Sequence, residues 1–410
     1  MLHTAFRVLA RCWPALLTWF LVGWAVRALI IRGGGYLLNV DENFGLLVLP
    51  LAILGMLAAY VGMFLSVRRE LHHLDRADDV ERGEVAVRPA RLWRDSLLAA
   101  ILPFFLLYVA WNLTRDDLVD LYFAATLQEN FGSGSFAESI TPASLTILAV
   151  AFAVRWLLGR FSPRLPRWTN LLASYFEAVW VLVALLTVRQ LLGILGGWLS
   201  TRRMFAWAVD AWADLRDSVP WFGVGDQVLG WLWSQLGTVI GLPLAWLAFA
   251  AIVYFGTIPR SATPSASSRV RAVSERWARL PVWLRTIATA VSSGILDRWR
   301  PVALAGRLIW RSGPIAIGTY LLAFAVLTTG GEWLRVGVYR LLGPHSTAWW
   351  FGASDVVGFA ASAVVAVLQV ALVAAAFDHA LRSDRARALV DAAGDAVSAA
   401  AAPAAETPTR

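Results

Sequence analysis

The sequence predicts an all-α polytopic membrane protein with about eight transmembrane helices in four hairpins and interfacial amphipathic helices. Three observations predict it. Hydrophobic residues make up 58% of the 410-residue chain and charged residues only 16%, against roughly 45–50% and about 25% in soluble domains. The mean hydropathy is +0.61, and the apolar residues fall in blocks long enough to cross a bilayer, which takes about 20 residues. Many of the 22 tryptophans stand at block ends, where an amphipathic indole is most stable at the headgroup boundary.

Taken in order, the spanning segments lie near Trp13–Ile31, Phe44–Val67, Ser96–Leu113, Pro142–Leu158, Leu171–Leu195, Val228–Ile258, Gly313–Thr329 and Val356–Phe377. The first follows Arg7 and Arg11 but is too long for a signal-peptide core and lacks a small-x-small cleavage site, so it reads as a retained helix. The fifth and sixth run long and are expected to tilt or to extend past the hydrocarbon. Pro243 is expected to kink the sixth. The single cysteine, Cys12, excludes an intramolecular disulfide.

Arginine sets the expected orientation, because retained loops concentrate basic residues. The chain has 36 basic residues, all Arg. With the N-terminus inside, the inner regions hold 27 of them, including Arg68, Arg69, Arg88, Arg91, Arg94, Arg164, Arg167, Arg382 and Arg385; nine remain outside, among them Arg27, Arg115, Arg189 and Arg335. A bias that repeats at every connection places both termini in the cytoplasm of a bacterial-type inner membrane. The bundle then covers 1–382 as hairpins near 1–70, 91–162, 164–260 and 301–382, and 383–410 is an Ala-rich tail expected to be disordered.

The first and last hairpin feet match: Arg7-x-x-x-Arg11-x-x-Pro14 against Arg307-x-x-x-Arg311-x-x-Pro314. A duplication with parallel repeats explains this, and so does the common need of such hairpins for Arg at the foot. Three external connections carry helical patterning. Leu118, Leu121, Tyr122 and Ala125 form a stripe within Arg115–Asn130. In Thr201–Val219, Met204, Ala208, Ala211, Trp212 and Leu215 oppose Asp210, Asp214 and Asp217. Glu332–Leu342 is a shorter version. These read as helices lying in the outer interface.

The inner connection Arg260–Arg311 holds ten Arg against Glu275 and Asp297. After a Ser/Pro/Ala linker, Arg269, Arg271, Arg276, Trp277, Arg279, Trp283 and Arg285 interleave base with indole. That pattern fits a helix lying on an anionic leaflet, where each basic residue contributes about 1 kcal/mol, so membrane lipids are the expected partner and nucleic acid is not. In Arg68–Arg94, His72, His73, Asp75, Asp78 and Asp79 form the one cluster with ligand chemistry, but no spacing there matches a metal site.

Ionisable and amide side chains at membrane depth are functional candidates. Glu177, Arg189, Gln190, Gln235 and Gln369 are the polar intramembrane candidates. Glu177 and Arg189 are twelve residues apart on one helix, roughly 18 Å along its axis, so they cannot pair with each other. Arg27 and Arg155 sit near helix ends and are expected to snorkel. Gly358, Ser362 and Ala366, like Gly193 and Gly197, recur four apart and permit close helix approach.

Catalytic signatures are missing: no Gly-x-Ser-x-Gly, no phosphate-binding loop (which needs Lys), and no His–Glu metalloprotease spacing. Asp41-Glu42 stands where a lipid-linked glycosyltransferase places acids, but in a loop of about a dozen residues. No catalytic residue, metal or cofactor is expected. An enzyme of that lipid-linked glycosyltransferase type stays as the third alternative, behind two other functional classes. One is a permease- or channel-like transport protein for a small or lipidic solute. The other is a non-transporting subunit or scaffold of a cell-envelope complex, with a protein partner.

The orientation is tested by a reporter fused after Arg382. Cytoplasmic activity alone is expected; activity confined to the far side of the membrane contradicts it.

Overall fold

A computed structural model describes residues 1–41, 44–71, 113–128, 142–161, 169–218, 235–255 and 313–401, together with parts of 96–109 and residues 228, 230 and 231. The described chain is 95% helical and has no strand. Its α-helices are α1 (Leu2–Leu38), α2 (Gly45–Val67), α3 (Leu113–Gln128), α4 (Pro142–Phe161), α5 (Thr169–Ser200), α6 (Arg203–Ser218), α7 (Leu242–Phe255), α8 (Pro314–Leu342) and α9 (Thr347–Ala401). Seven described segments are long and apolar enough to cross a membrane: α1, α2, α4, α5, the stretch ending in α7, α8 and α9. The eighth expected span, 96–113, is described only in part, and its described residues are helical.

Several elements outrun their sequence limits. With 37 residues, α1 is roughly 55 Å long at 1.5 Å per residue, well beyond a hydrocarbon core of about 30 Å. The expected interfacial helix at Glu332–Leu342 does not exist as a separate element. Those residues are the last turns of α8, which meets α9 across Gly343–Ser346 alone. Gly343 takes φ 76° at the helix end, the left-handed conformation that glycine adopts without steric cost. The backbone of 383–401 continues α9, in keeping with the high helix propensity of Ala. Before α7, residues Gly237–Gly241 form a π-helical turn, so the irregularity expected from Pro243 takes the form of a π-bulge just ahead of it.

The chain divides into two compact units. One comprises Pro14–Met63 and Arg88–Phe249. Its α1–α2 hairpin packs through small residues: a side chain on Gly23 would collide with Ala59, and one on Gly62 with the Trp19 ring. Such pairs let helices approach closely where lipid supplies no hydrophobic drive. Across the end of this hairpin lies α3. Its expected stripe is buried: Leu118, Leu121 and Ala125 are 5%, 0% and 4% exposed, in a core with Ile31, Leu38, Val48 and Ala52, and Tyr122 packs against that core. Asn39 Nδ2 donates to the Ala125 carbonyl at 3.3 Å. In the same unit, α4 and α5 pack through Ala151, Val179 and Val183. The Tyr175 hydroxyl fastens α5 to the first turn of α2 by donating to the Leu47 carbonyl at 2.9 Å.

The other unit comprises Met1–Trp13, Phe64–Val87 and Ala250–Arg410. Here α8 and α9 form a hairpin in which Gly331 accommodates Val365. The end of α7 packs on α9 through Tyr254 and Phe377, whose ring centroids are 5.2 Å apart, and on Phe64 at 5.9 Å.

Candidate functional site

Polar groups on the described spanning helices collect in three places. The first is in the unit formed by Pro14–Met63 and Arg88–Phe249, at the α1–α2 turn, where Arg27 of α1 meets the first turns of α3. Arg27 Nε donates to Asp117 Oδ1 at 2.8 Å, and its Nη2 contacts the same oxygen and also Asp120 Oδ2 at 2.6 Å. The Tyr108 hydroxyl donates to the other Asp117 oxygen at 2.6 Å. Asp117 is 1% exposed. Burial pushes its carboxyl above the usual carboxylate range, and Arg27 and the Tyr108 hydroxyl pull against that shift. Nearby, the buried Thr114 hydroxyl has no hydrogen-bond partner among the described residues.

Arg27 therefore does not snorkel: it is the counter-ion of α3. Two consecutive glycines, Gly34 and Gly35, explain how α3 reaches it. A side chain on Gly34 would meet Val48 and Leu121, and one on Gly35 the backbone of Ala124 and Ala125 at 3.0 Å. Without side chains there, α3 lies against α1 and brings Asp117 within reach of a guanidinium seven residues back along α1.

The second place joins α4 to α5. Arg155 Nη2 donates to Glu177 Oε1 at 3.2 Å. The guanidinium also sits 5.6 Å from the Trp180 ring centroid, a distance at which the ring quadrupole attracts a cation. Arg155, like Arg27, is a pairing residue rather than a snorkelling one. Glu177 thus has a partner on the adjacent helix, and not Arg189, from which the twelve-residue spacing separates it.

The third place is in the other unit, where α2 ends and α7 meets α9. Arg11 pairs with Glu70 at 2.8 Å. Arg68 and Asp378, 8% and 5% exposed, are both buried. They lie within electrostatic reach of the Tyr254 hydroxyl, which donates to the Phe64 carbonyl at 3.2 Å.

Four of the five polar candidates lie in the unit that holds α4 and α5. Glu177 and Gln190 are half-buried on α5, Arg189 is exposed on the same helix, and Gln235 is half-buried just before the π turn. Gln369 is buried in α9, in the other unit. Arg269, Arg271, Arg276, Trp277, Arg279, Trp283 and Arg285 lie outside the described residues, as do His72, His73 and the neighbouring aspartates. Among the described residues no group of three or more His, Cys, Asp and Glu is placed to hold a metal ion.

Sequence reasoning passed over Asp117, Asp120 and Tyr108. A signal was present: Gly33-Gly34-Gly35 near the end of an apolar block, facing a connection that opens Asp116-Asp117. No family model, curated protein or solved structure matches the chain. Residue geometry is thus the basis for any functional reading of this integral membrane protein.

The Arg155–Glu177 pair makes a measurable prediction. Arg155→Leu and Glu177→Leu are each expected to lower stability in detergent by about 1–3 kcal/mol, because each breaks the ion pair that joins α4 to α5. The double variant is expected to recover most of that loss. A double variant that loses the sum of the two contradicts the pairing role.

Proposed function

We propose that the protein is a non-transporting membrane subunit or scaffold whose spanning helices are covered by the helices of a partner protein. The observation that carries this reading is the second half of α5. From Val188 to Ser200 every residue is exposed except Gln190 and Leu199, which are half-buried. Gly193, Gly196 and Gly197 have open space where a Cβ would stand. An exposed stretch of spanning helix gains nothing from a partner through hydrophobicity alone, because lipid is as apolar as leucine. It gains through close packing at small residues, and α5 carries three glycines on that bare stretch.

Two further helices, though each packs against one neighbour, leave most of their apolar surface open: only 11% of the most apolar window of α4 and of α8 is buried. Of the ionisable groups, Glu177 is engaged with Arg155 and Arg27 with Asp117, so they act as helix-to-helix ties. A permease needs a polar face shared by several helices. Glu177 is engaged in a helix-to-helix ion pair with Arg155, which gives that alternative less support. The expected setting is the cytoplasmic membrane, with the termini on the arginine-rich side.

The test is native mass spectrometry of the protein extracted in mild detergent from its own host, alongside Gly193→Leu/Gly197→Leu. Leucines facing lipid are tolerated, whereas leucines in a helix contact are not. The expected result is a stoichiometric protein partner that the double substitution removes, with the thermal stability of the isolated chain unchanged. A self-contained monomer retaining a solute, unaffected by the leucines, contradicts the proposal and favours transport.

A further inference from the structure

The turn joining α8 to α9 gathers aromatic rings that neither helix needs for its own core. His345 stacks on Trp349 with centroids 4.1 Å apart and planes 21° from parallel. Trp350 meets Trp349 edge-on at 4.9 Å and Tyr339 edge-on at 5.2 Å. His345 Nδ1 lies 3.2 Å from the Gly343 carbonyl oxygen. A carbonyl only accepts, so Nδ1 carries the proton, and Nε2 is left as the other polar atom of an exposed ring. Around this cluster, Leu341 is 89% and Trp333 65% exposed. In water, so much apolar surface at one tip is costly.

Length decides where the tip sits. From Pro314, the first residue of α8, to Tyr339 is 25 residues, which is roughly 38 Å at 1.5 Å per residue. A bilayer with its headgroup layers is about 40–45 Å thick. With Pro314 at one headgroup layer, Tyr339 and the rings packed on it fall in the opposite one. Charge follows the same arithmetic: Arg335, paired with Glu332 at 2.5 Å, and Arg340 lie within the last turns of α8.

We infer that Tyr339, His345, Trp349 and Trp350 form a clamp on the phospholipid headgroup layer, fixing the depth of the α8–α9 hairpin. The chemistry matches headgroups that carry both an ammonium and a phosphate. The neutral imidazole accepts from the ammonium through Nε2, and the protonated ring donates to the phosphate there. The indoles and the phenol supply amphipathic rings at the same level.

A spin label tests this in the full chain. Cys12→Ser removes the single cysteine, and Ser346→Cys places a nitroxide on the turn. The protein is reconstituted into phosphatidylethanolamine/phosphatidylglycerol vesicles, and collision rates with oxygen and with a water-soluble nickel chelate are measured. The expected label depth is the headgroup layer, and Trp349→Ala/Trp350→Ala is expected to raise nickel accessibility about twofold as the tip is freed from the interface. A fully aqueous label in the parent overturns the inference, whatever the variants do. So does an unchanged depth in the double variant once its elution profile matches the parent's. Because the purified chain is used alone, neither result depends on a protein partner.

Discussion

A carboxylate buried against a spanning helix needs a counter-charge, and in this chain Asp117 meets Arg27 on α1. Taking either side chain out of water alone costs several kcal/mol, and the cost is offset only when the geometry also satisfies the remaining hydrogen-bonding atoms. Asp117 is satisfied in that way, by two guanidinium nitrogens and the Tyr108 hydroxyl. The consequence is architectural. To bring Asp117 to Arg27, α3 must lie against the end of α1, and that requires Gly34 and Gly35 to carry no side chains. Once there, Leu121, Ala124 and Ala125 close the core over Ile31, Leu38 and Val48. The ion pair and the apolar corner hold each other in place.

The same physical rule explains the contrast between crowded and bare helices. Where charges cross between elements, as at Arg155–Glu177 and Arg11–Glu70, the helices bearing them are fastened within their own unit. Where the glycines of a helix meet no side chain among the described residues, as in the second half of α5, the helix surface stays exposed. Its surface is therefore set for lipid or for the helices of another protein. The aromatic turn at His345 occupies a third category, with neither a hydrocarbon nor an aqueous environment suited to it.

Much of the fold was legible in the sequence because its signal is one-dimensional. Apolar block length located the spanning helices, and the 3.6-residue stripe of Leu118, Leu121 and Ala125 anticipated which face of α3 is buried. The end of α8 was not legible. Glu332, Arg335 and Arg340 break the apolar run, so composition ends the span near Thr329, yet helical hydrogen bonding continues unbroken to Leu342. The polar site was the least legible part, since pairing is long-range: Arg27 and Asp117 are 90 residues apart, and no local spacing encodes their meeting. Arg155 and Glu177 are 22 apart, across a hairpin whose register fixes the pair but whose depth profile alone reads as two separate charges.

Ion pairs between helices tie this chain together, and Arg27–Asp117 is more deeply buried than Arg155–Glu177 or Arg11–Glu70. The most direct measurement is a double-mutant cycle of Arg27→Leu and Asp117→Leu, read by unfolding of the purified protein in detergent. The account predicts that each single substitution costs roughly 3–5 kcal/mol, as for breaking a buried pair, and that the double variant is no less stable than the worse single one. Losses that simply add, or single substitutions without effect, contradict it.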